Sequence, residues 1–258
     1  MIEPSVLKPV QSIRIAIPAF NEAERLPRFL EELERVGVLR EPGVEVVVVD
    51  DGSEVSQSAV MADAVKRLRG TAEGGALRYM KLARNRGKGG AVYAAWDEPG
   101  EVDLLAFLDA DGSVSGVETL RLLRLAAGCP EKAFFASRVK MLGRTVDRGF
   151  KRHLLGRTFA SLVGVFVEPG VYDSQCGLKI IPAAQYLKFR SWLRECRFAF
   201  DVELVAALVD TQCRIVEVPI DWRHVPGSKV NLFRESLQMF QGVIRIAKRR
   251  RQWQIVDD

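Results

Sequence analysis

The sequence predicts an α/β fold in which a mostly parallel sheet is covered by helices on both faces. Two observations indicate this fold. Apolar, β-branched stretches alternate with stretches whose apolar residues recur at helical spacing, which is the pattern of repeated β-α-β units. Several of the strand-like stretches also end abruptly in polar residues and glycine, as parallel strands do at the sheet edge that binds ligands.

The first half of the chain carries the regular part of this pattern. Asn21 is predicted to be the N-cap of the first helix, because its side chain can accept a hydrogen bond from a free N–H of the first turn. Strands are predicted over residues 13–18, 44–49, 77–82, 102–108 and 132–137, and helices over residues 22–36, 55–68, 86–96 and 117–127.

The second half is less regular, and no linker-like segment separates it from the first, so a single domain is predicted. Apolar residues recur at helical spacing near the C-terminus, at Phe233, Leu237, Phe240, Ile244 and Ala247. Helices are predicted over residues 148–167 and 200–209, and strands over residues 177–181 and 214–218.

Composition limits the classes of protein to which this chain can belong. The chain has 258 residues, of which 48% are hydrophobic and 28% are charged. This is the composition of a globular protein with enough apolar residues for a sizeable core. The net charge of +5 fits phosphate-bearing ligands or an anionic membrane surface and does not single out nucleic acid. Four widely spaced cysteines and two histidines argue against a zinc site or a disulfide framework.

Targeting and membrane-spanning segments are not expected. The N-terminus lacks the basic flank and apolar core of a signal peptide. The longest apolar stretch, residues 154–167, is interrupted by Arg157 and is shorter than the roughly 20 apolar residues that span a bilayer.

Polar clusters follow three of the predicted strands, at residues 18–22, 50–53 and 109–112. One such cluster alone is weak evidence for a site, because acidic residues also cap helices and form turns. Parallel strands, however, end at the same edge of a sheet, so the three clusters are expected to lie together. The sequence therefore predicts a ligand site at that edge.

The chemistry of these clusters points to a metal-bound diphosphate. Asp109 and Asp111 can hold Mg²⁺ or Mn²⁺, which bind carboxylate and phosphate oxygens. The metal would offset the charge that develops on the diphosphate of a sugar nucleotide as its glycosidic bond breaks. Asp51 can accept hydrogen bonds from a nucleobase or ribose. Lys88 lies among glycines and either reaches the donor or belongs to a loop that merely opens a helix.

Taken together, these motifs resemble family 2 inverting glycosyltransferases with the GT-A fold. Later motifs resemble the polyprenyl-phosphate glycosyltransferases, with a closer likeness to the dolichyl-phosphate β-glucosyltransferase branch than to the mannose synthase branch. The first set is Ile-Pro-Ala-Phe-Asn-Glu at 17–22, Val-Val-Asp-Asp-Gly-Ser at 48–53, Asn-Arg-Gly-Lys-Gly-Gly-Ala at 85–91 and Asp-Ala-Asp-Gly at 109–112. The second set is residues 173–179, 198–204 and 222–229.

The resemblance implies a Rossmann-like, mostly parallel sheet within a GT-A domain over residues 1–229. A donor-binding half would cover about residues 12–114 and a smaller acceptor half about 115–229. An amphipathic helix and a basic tail would follow over residues 230–258.

The resemblance also assigns roles to individual residues. Asp109 and Asp111 would hold the metal. Ser113 stands where mannose synthases can have a longer side chain whose amide binds the metal. In this chain the Ser113 hydroxyl or a water would complete the coordination shell of the metal instead. The catalytic set would be Asp111, Asp201, Arg138 and Arg152, with both arginines on the acceptor phosphate. The donor and its metal would be bound by Pro18, Phe20, Glu22, Val49, Asp51, Lys88, Asp109, Ala110, Asp111, Arg138, Arg223 and Lys229.

Three positions keep alternative interpretations. Asp201 either deprotonates an acceptor hydroxyl or, with a phosphate acceptor, orients cations or binds the donor sugar. Asp173 and Gln175 either shape the pocket or form a turn.

The implied activity is transfer of a sugar from a nucleotide donor to a polyprenyl or dolichyl phosphate. UDP-glucose or a related UDP-sugar is favoured as donor over GDP-mannose. One alternative is a glycosyltransferase with a soluble saccharide or other non-lipid acceptor, and a second is a non-catalytic regulator that binds sugar nucleotides. Nucleic acid is not expected as a partner.

The implied location is the cytoplasmic face of a membrane, with peripheral contact or an integral-membrane partner. The C-terminal helix, with its basic run at residues 248–251 and Trp253, is expected to lie on an anionic leaflet, to pack on the sheet, or to do both. Many relatives continue into transmembrane helices where this chain stops.

Overall fold

The computed structural model describes residues 12–70, 76–139, 141–146, 171–226 and 232–253. The strands in these ranges are β1 (Ile13–Ala19), β2 (Val44–Asp50), β3 (Ala76–Lys81), β4 (Leu104–Leu108), β5 (Ala133–Ser137), β6 (Leu178–Pro182) and β7 (Ile215–Pro219). The helices are α1 (Leu26–Val36), α2 (Val55–Arg69), α3 (Lys88–Trp96), α4 (Gly116–Ala127), α5 (Ala183–Phe189), α6 (Phe200–Asp210) and α7 (Leu232–Trp253), with a short 3-10 helix over Val38–Arg40.

The strands form one sheet in the order β3-β2-β1-β4-β6-β5-β7. Neighbours among β1 to β4 pair in parallel, β6 runs antiparallel to both β4 and β5, and β7 pairs in parallel with β5. The predicted mostly parallel sheet is thus confirmed, with β6 as its reversed strand.

Helices cover both faces of the sheet, as predicted. Successive residues of a strand point to opposite faces, so Val46 of β2 packs in one core and Val47 in the other. The first core lies under α1, α2 and α4, and includes Leu30 and Leu122. The second lies under α3, α5, α6 and α7, and includes Phe107.

The predicted strands agree with the observed ones to within two residues, but the first helix begins later than expected. It starts at Leu26, and Asn21 is not its N-cap. Asn21 has a positive φ of 55°, its N–H donates to Ser53 Oγ at 2.8 Å, and its Oδ1 accepts from the N–H of Glu54 at 3.0 Å. Asn21 therefore joins the turn after β1 to the turn after β2, and this tertiary contact overrides the local capping rule.

The C-terminal helix α7 packs on the fold, which was one of the two alternatives for it. Val243 and Ile246 lie in the second core, and Trp253 stacks on Trp192 with ring centroids 5.2 Å apart. Trp253 is therefore buried, and its interpretation as a tryptophan at a membrane interface is wrong.

Part of the basic run also faces the protein. Arg249 pairs with Glu195 and Glu203, and Arg250 pairs with Asp210, with nitrogen–oxygen distances of 2.6 to 2.7 Å. Within the described part of the chain, no helix is long and apolar enough to cross a membrane. The helix predicted over residues 148–167 lies outside the described residues.

Candidate active site

The polar clusters after β1, β2 and β4 meet at one edge of the sheet, because these three strands are neighbours and parallel. The first two are joined directly. The N–H of Asp51 donates to the carbonyl of Ala19 at 2.8 Å, and Asn21 donates to Ser53. The edge predicted from the sequence is therefore a continuous surface of loops.

Asp109 and Asp111 leave β4 at this edge. The N–H of Asp109 donates to the carbonyl of Gly177 at 2.8 Å, and its Oδ1 lies 2.8 Å from Lys88 Nζ. Asp111 Oδ1 accepts from the N–H of Ser113 at 2.9 Å, while its Oδ2 lies 3.8 Å from Arg25 Nη1. Both carboxylates are about one-third exposed (33% and 29%) and face the outside of the sheet edge.

This pair of carboxylates fits a divalent cation. Mg²⁺ and Mn²⁺ are hard ions that take one or two carboxylates and complete their shell with substrate phosphates and water. Within the described ranges no third His, Cys, Asp or Glu joins the two aspartates. Ser113 lies in the same loop, and the role of its hydroxyl as a ligand stays a prediction.

Asp50 and Asp51, adjacent at the end of β2, have different tasks. Asp50 is buried and accepts hydrogen bonds from the N–H of Ser53 at 2.8 Å, from Tyr79 Oη at 2.6 Å and from Ser58 Oγ. Burial alone would raise the pKa of Asp50, but these donors lower it below its usual range. Asp50 therefore holds the turn into α2 and does not face the site.

Asp51 holds the glycine-rich loop. Its two oxygens accept from the N–H groups of Arg86 at 2.6 Å and Gly87 at 2.8 Å. Burial raises the pKa of Asp51 by more than these two bonds lower it. Gly87 has a φ of +85°, and a β-carbon there would lie 2.5 Å from the carbonyl oxygen of Cys196, so this position requires glycine. Contact of Asp51 with a donor base or ribose stays a prediction.

Lys88, the first residue of α3, contacts both Asp109 of the predicted metal site and the buried Asp201. Its ammonium lies 2.8 Å from Asp109 Oδ1 and 3.4 Å from Asp201 Oδ2. Burial alone would lower the pKa of Lys88, but the two carboxylates raise it above its usual value. Lys88 is therefore a cation that faces Asp109 at the sheet edge, and its contact with the donor stays a prediction.

Asp201, in the first turn of α6, is 1% exposed and bound by two ammonium groups. Its Oδ1 accepts from Lys179 Nζ at 2.6 Å, and its Oδ2 faces Lys88. The carboxylate thus lies beneath the site surface and serves as an anchor for cations. Of the two interpretations of Asp201, this geometry favours the orientation of cations.

Lys179 was assigned no role from the sequence. It lies on β6, is fully buried, and also donates to the carbonyl of Cys176 at 3.0 Å. The sequence contains an indication that Lys179 is buried and paired. It lies within the apolar run at residues 178–181, where a lysine is unusual unless it has a partner.

Arg138 follows β5 and forms a bidentate ion pair with Asp173. Nε and Nη2 of Arg138 lie 2.7 Å from the two oxygens of Asp173, and the N–H of Arg138 donates to the same carboxylate at 2.9 Å. Burial would raise the pKa of Asp173, but its contacts with Arg138 lower it to about 2. Asp173 is in turn held by Glu217 of β7, which accepts its N–H at 2.8 Å. Asp173 therefore orients the predicted phosphate-binding arginine.

Gln175 belongs to the turn beneath this pair. Its N–H donates to Asp173 Oδ1 at 3.3 Å, as expected for a turn-forming residue.

Arg223 lies beside the predicted metal loop. Its N–H donates to the carbonyl of Ser113 at 3.3 Å, its Nε to the carbonyl of Gly112 at 3.4 Å, and its Nη2 pairs with Glu32 at 2.7 Å. The segment predicted to close over the donor thus begins beside the loop of Asp109 and Asp111. Lys229, predicted to act with Arg223, and Arg152, predicted to bind the acceptor phosphate, lie outside the described residues.

The three residues predicted to bind the donor at the end of β1 differ in exposure and in contacts. Phe20 is 46% exposed at the edge, whereas Glu22 binds Arg25, with Arg25 Nε 2.7 Å from its Oε2. Glu22 thereby holds the guanidinium that faces Asp111. Pro18 is half-buried near the end of β1.

Two residues predicted to contact the donor have buried side chains. Val49 is fully buried in the second core, and Ala110 is buried in the first. Their side chains point into the protein because they lie within or next to strands that are covered on both faces. For both residues only main-chain atoms remain available for a donor contact.

Comparison with known proteins identifies the family. The profile of Glycosyl transferase family 2 matches residues 14–169, more than half of the chain. The chain belongs to glycosyl transferase family 2. This family 2 glycosyltransferase is 32% identical to the dolichyl-phosphate beta-glucosyltransferase of Mus musculus over 253 residues, covering 93% of this chain and 76% of that protein. It is 30% identical to the Homo sapiens protein of the same name, with the same coverage. The resemblance found in the motifs is confirmed.

Solved structures of other glycosyltransferases share the fold. Glucosyl-3-phosphoglycerate synthase from Mycobacterium tuberculosis, in complex with Mn²⁺, UDP-glucose and phosphoglyceric acid, superposes with a TM-score of 0.67 at 15% identity, covering 92% of this chain and 80% of that chain. Mannosyl-3-phosphoglycerate synthase from Rubrobacter xylanophilus gives a TM-score of 0.64 at 16% identity, covering 95% and 75%. These likenesses confirm the GT-A fold for this family 2 glycosyltransferase.

Proposed function

We propose that this glycosyltransferase moves a sugar, glucose in the first instance, from a UDP-sugar to a polyprenyl phosphate. The observation that carries this proposal is the environment of Asp201. A general base must reach the proton that it removes, but Asp201 is buried and bound on both oxygens by Lys88 and Lys179. That arrangement favours an acceptor that is already ionised near neutral pH, as a phosphate monoester is.

The names of the relatives support the same acceptor. Proteins called dolichyl-phosphate beta-glucosyltransferase, from mouse, human and yeast, match more than nine-tenths of this chain at 29% to 32% identity. They support glucose as the sugar and a polyprenyl phosphate as the acceptor. UDP as the nucleotide agrees with the Asp-Ala-Asp-Gly form of the metal loop.

The reaction is a single displacement at the anomeric carbon. An oxygen of the acceptor phosphate forms a bond to that carbon while the bond to the donor diphosphate breaks, so UDP leaves and the configuration inverts. Arg138, oriented by Asp173, would bind the acceptor phosphate. No proton needs to be removed from such an acceptor.

Asp109 and Asp111 would hold Mg²⁺ or Mn²⁺ against the donor diphosphate. Bound there, the metal supplies charge neutralisation of the leaving diphosphate. Lys88 and Arg223 add cations on two sides of the same loop, and Asp51 fixes the loop that carries Lys88.

The proposed site of action is the surface of a membrane, on its cytoplasmic face, where the lipid tail of the acceptor would remain. Two apolar side chains of α7 support peripheral contact. Leu237 and Phe240 lie on one side of this helix and are 53% and 40% exposed. An adjoining side, with Val243 and Ile246, packs in the second core.

The experiment incubates purified enzyme with Mn²⁺ or Mg²⁺, a panel of UDP- and GDP-sugars and a short polyprenyl phosphate. Mass spectrometry then identifies the glycolipid, and NMR gives its anomeric configuration. We expect one hexose on the phosphate, inverted relative to the donor, with UDP-glucose as the best donor.

The matched control replaces the acceptor by the polyprenol that lacks the phosphate. Product from the phosphate but not from the alcohol supports the proposal. Efficient transfer to soluble saccharides, with none to polyprenyl phosphate, would overturn it and favour the non-lipid acceptor. Absence of both transfer and donor hydrolysis would favour a binding protein.

A further inference from the structure

A buried lysine lies beneath the donor site without a part in the chemistry described above. Lys179 is in the middle strand of the group β4-β6-β5, directly opposite Phe107 on β4 and Phe135 on β5. Residues paired in this way point to the same face of the sheet, so Lys179 points toward α3 and α6. Its Nζ lies 5.0 Å from the centroid of the Phe107 ring and 5.3 Å from that of Phe135.

The ammonium of Lys179 begins a row of alternating charges. Lys179 Nζ lies 2.6 Å from Asp201 Oδ1, Asp201 Oδ2 lies 3.4 Å from Lys88 Nζ, and Lys88 Nζ lies 2.8 Å from Asp109 Oδ1. The row runs from a fully buried lysine to a carboxylate that is one-third exposed at the sheet edge. It therefore connects the interior of the second core with the predicted metal site.

We propose that Lys179 is a positioning residue for the donor site, which acts by fixing Asp201 so that Asp201 holds the ammonium of Lys88 beside Asp109. The inference rests on the proposed function in one respect, the use of a nucleoside diphosphate donor. Lys179 does not touch the donor; it acts through two intervening side chains.

The distances indicate which link is rigid and which can change. The Lys179–Asp201 pair is shorter and fully buried, so moving either group would leave an uncompensated charge in the core. The Lys88–Asp201 contact is longer, and Lys88 also faces the partly exposed Asp109. Asp201 is thus the fixed anchor, and Lys88 is the member of the row that can turn toward donor phosphate oxygens when a metal occupies Asp109.

Lys179 also balances charge. Without it, Asp201 would have Lys88 as its remaining ammonium partner in this row and would draw that ammonium inward, away from Asp109. The expected result is a donor site with its cation displaced, in a protein where Arg138 and Asp173 keep their ion pair.

The test measures equilibrium binding of UDP in the presence of Mn²⁺ by calorimetry, for the wild-type enzyme and for Lys179→Met. We expect UDP affinity to fall by at least about tenfold, the factor that corresponds to roughly 1.4 kcal/mol. The KM for acceptor should change less than the UDP affinity, because Lys179 and Asp109 act on the Arg138–Asp173 pair only through space and more weakly than that pair's own hydrogen bonds. Lys188→Met, which removes an exposed lysine from α5, is the matched control and should bind UDP like the wild type.

A double-mutant cycle separates positioning from a general structural role. If Lys179 acts through Lys88, then adding Lys179→Met to Lys88→Met should cause no further loss of UDP affinity. Losses that multiply, or an unchanged UDP affinity in Lys179→Met, would overturn the proposal. A lowered melting temperature with unchanged affinity would show a purely structural lysine.

Lys179→Met leaves the buried carboxylate of Asp201 with one partner fewer, and this variant could fail to fold. A second variant therefore tests the same proposal. Lys179→Met with Asp201→Asn removes both charges of the rigid pair at similar volume, which proteins tolerate better than loss of one partner. We expect this variant to fold and to bind UDP more weakly than the wild type, because the charge that anchors the ammonium of Lys88 is gone. Wild-type affinity in the folded double variant would contradict the proposal. If the wild-type enzyme itself binds neither UDP nor GDP, the proposed donor fails, and this role for Lys179 fails with it.

Discussion

The backbone of Gly177 lies directly against the carboxylate of Asp109. The carbonyl of Gly177 accepts the N–H of Asp109 at 2.8 Å, and a β-carbon on residue 177 would lie 2.3 Å from Asp109 Oδ2. Gly177 comes just before β6 and Asp109 just after β4, so the antiparallel pairing of these strands brings the two together. The position of the first predicted metal ligand is thus fixed by a residue far away in the sequence.

Gly177→Ala should therefore displace the Asp109 carboxylate and weaken Mn²⁺-dependent binding of UDP. We expect binding to be at least about tenfold weaker, because the carboxylate must leave the position from which it would hold the metal. Calorimetry with UDP and Mn²⁺ measures it. Gly70→Ala is the control, because a β-carbon on Gly70, at the end of α2, would meet open space. Equal affinities in the two variants would show that Asp109 tolerates displacement.

Asp111→Ala should abolish transfer while the fold remains intact. Loss of a ligand that holds charge-stabilising metal is expected to cost about a hundredfold or more in rate. Arg25, which faces Asp111, keeps Glu22 as a partner, so no buried charge is left alone. The measurements are transfer rate and melting temperature.

The control for this variant is Asp63→Ala, which removes an exposed carboxylate from α2. Its transfer rate should equal that of the wild type. Chelation of the metal by EDTA should inactivate the wild-type enzyme, and added Mn²⁺ should restore it. Near-normal transfer in Asp111→Ala would contradict the assignment of Asp109 and Asp111 to the metal.

The sheet edge could be predicted from the sequence because its signals are local. An apolar run that ends in Asp109 and Asp111 needs no distant partner to be recognised as a strand followed by a loop. The same reasoning failed at Asn21, where the capping rule competed with a contact to the turn after β2. Tertiary contacts of this kind are not visible in a local pattern.

The row of charges beneath the site could not be predicted for the same reason. Lys179 and Asp201 are 22 residues apart, and Lys88 and Asp201 are 113 apart. The sequence revealed Asp201 and Lys88 as polar residues in motifs, but not that they bind each other. Only the crossing of β6 between β4 and β5 places Lys179 under both.

The Arg138–Asp173 pair should make stability depend on pH in the acid range. The pKa of Asp173 is lowered from 3.8 to about 2, so its contribution is complete above pH 3.8 and is lost as pH falls from there toward about 2. The size of the shift corresponds to roughly 2 kcal/mol of unfolding free energy.

Urea unfolding of the wild type and of Asp173→Asn at several pH values tests this expectation. The variant should be less stable near neutral pH, and the difference should shrink as the pH approaches that lowered pKa, where the wild-type carboxyl also becomes neutral. Asp63→Asn, an exposed carboxylate, should show no such dependence. A difference that is constant with pH would mean that Asp173 contributes through packing rather than through its charge.

Trp253 should stabilise the fold, because it closes the contact between α7 and the rest of the protein. It is buried and stacks on Trp192, while Arg249, one helical turn earlier, is held by Glu195 and Glu203. Loss of a large buried aromatic side chain typically costs about 3–5 kcal/mol, so we expect Trp253→Ala to lower the free energy of unfolding by about 3 kcal/mol. Urea unfolding measures it, with the exposed neighbour Gln252→Ala as a control that should leave the free energy of unfolding unchanged. If Trp253→Ala unfolds at the wild-type urea concentration, Trp253 does not stabilise the docked helix, and its placement at a membrane interface must be reconsidered.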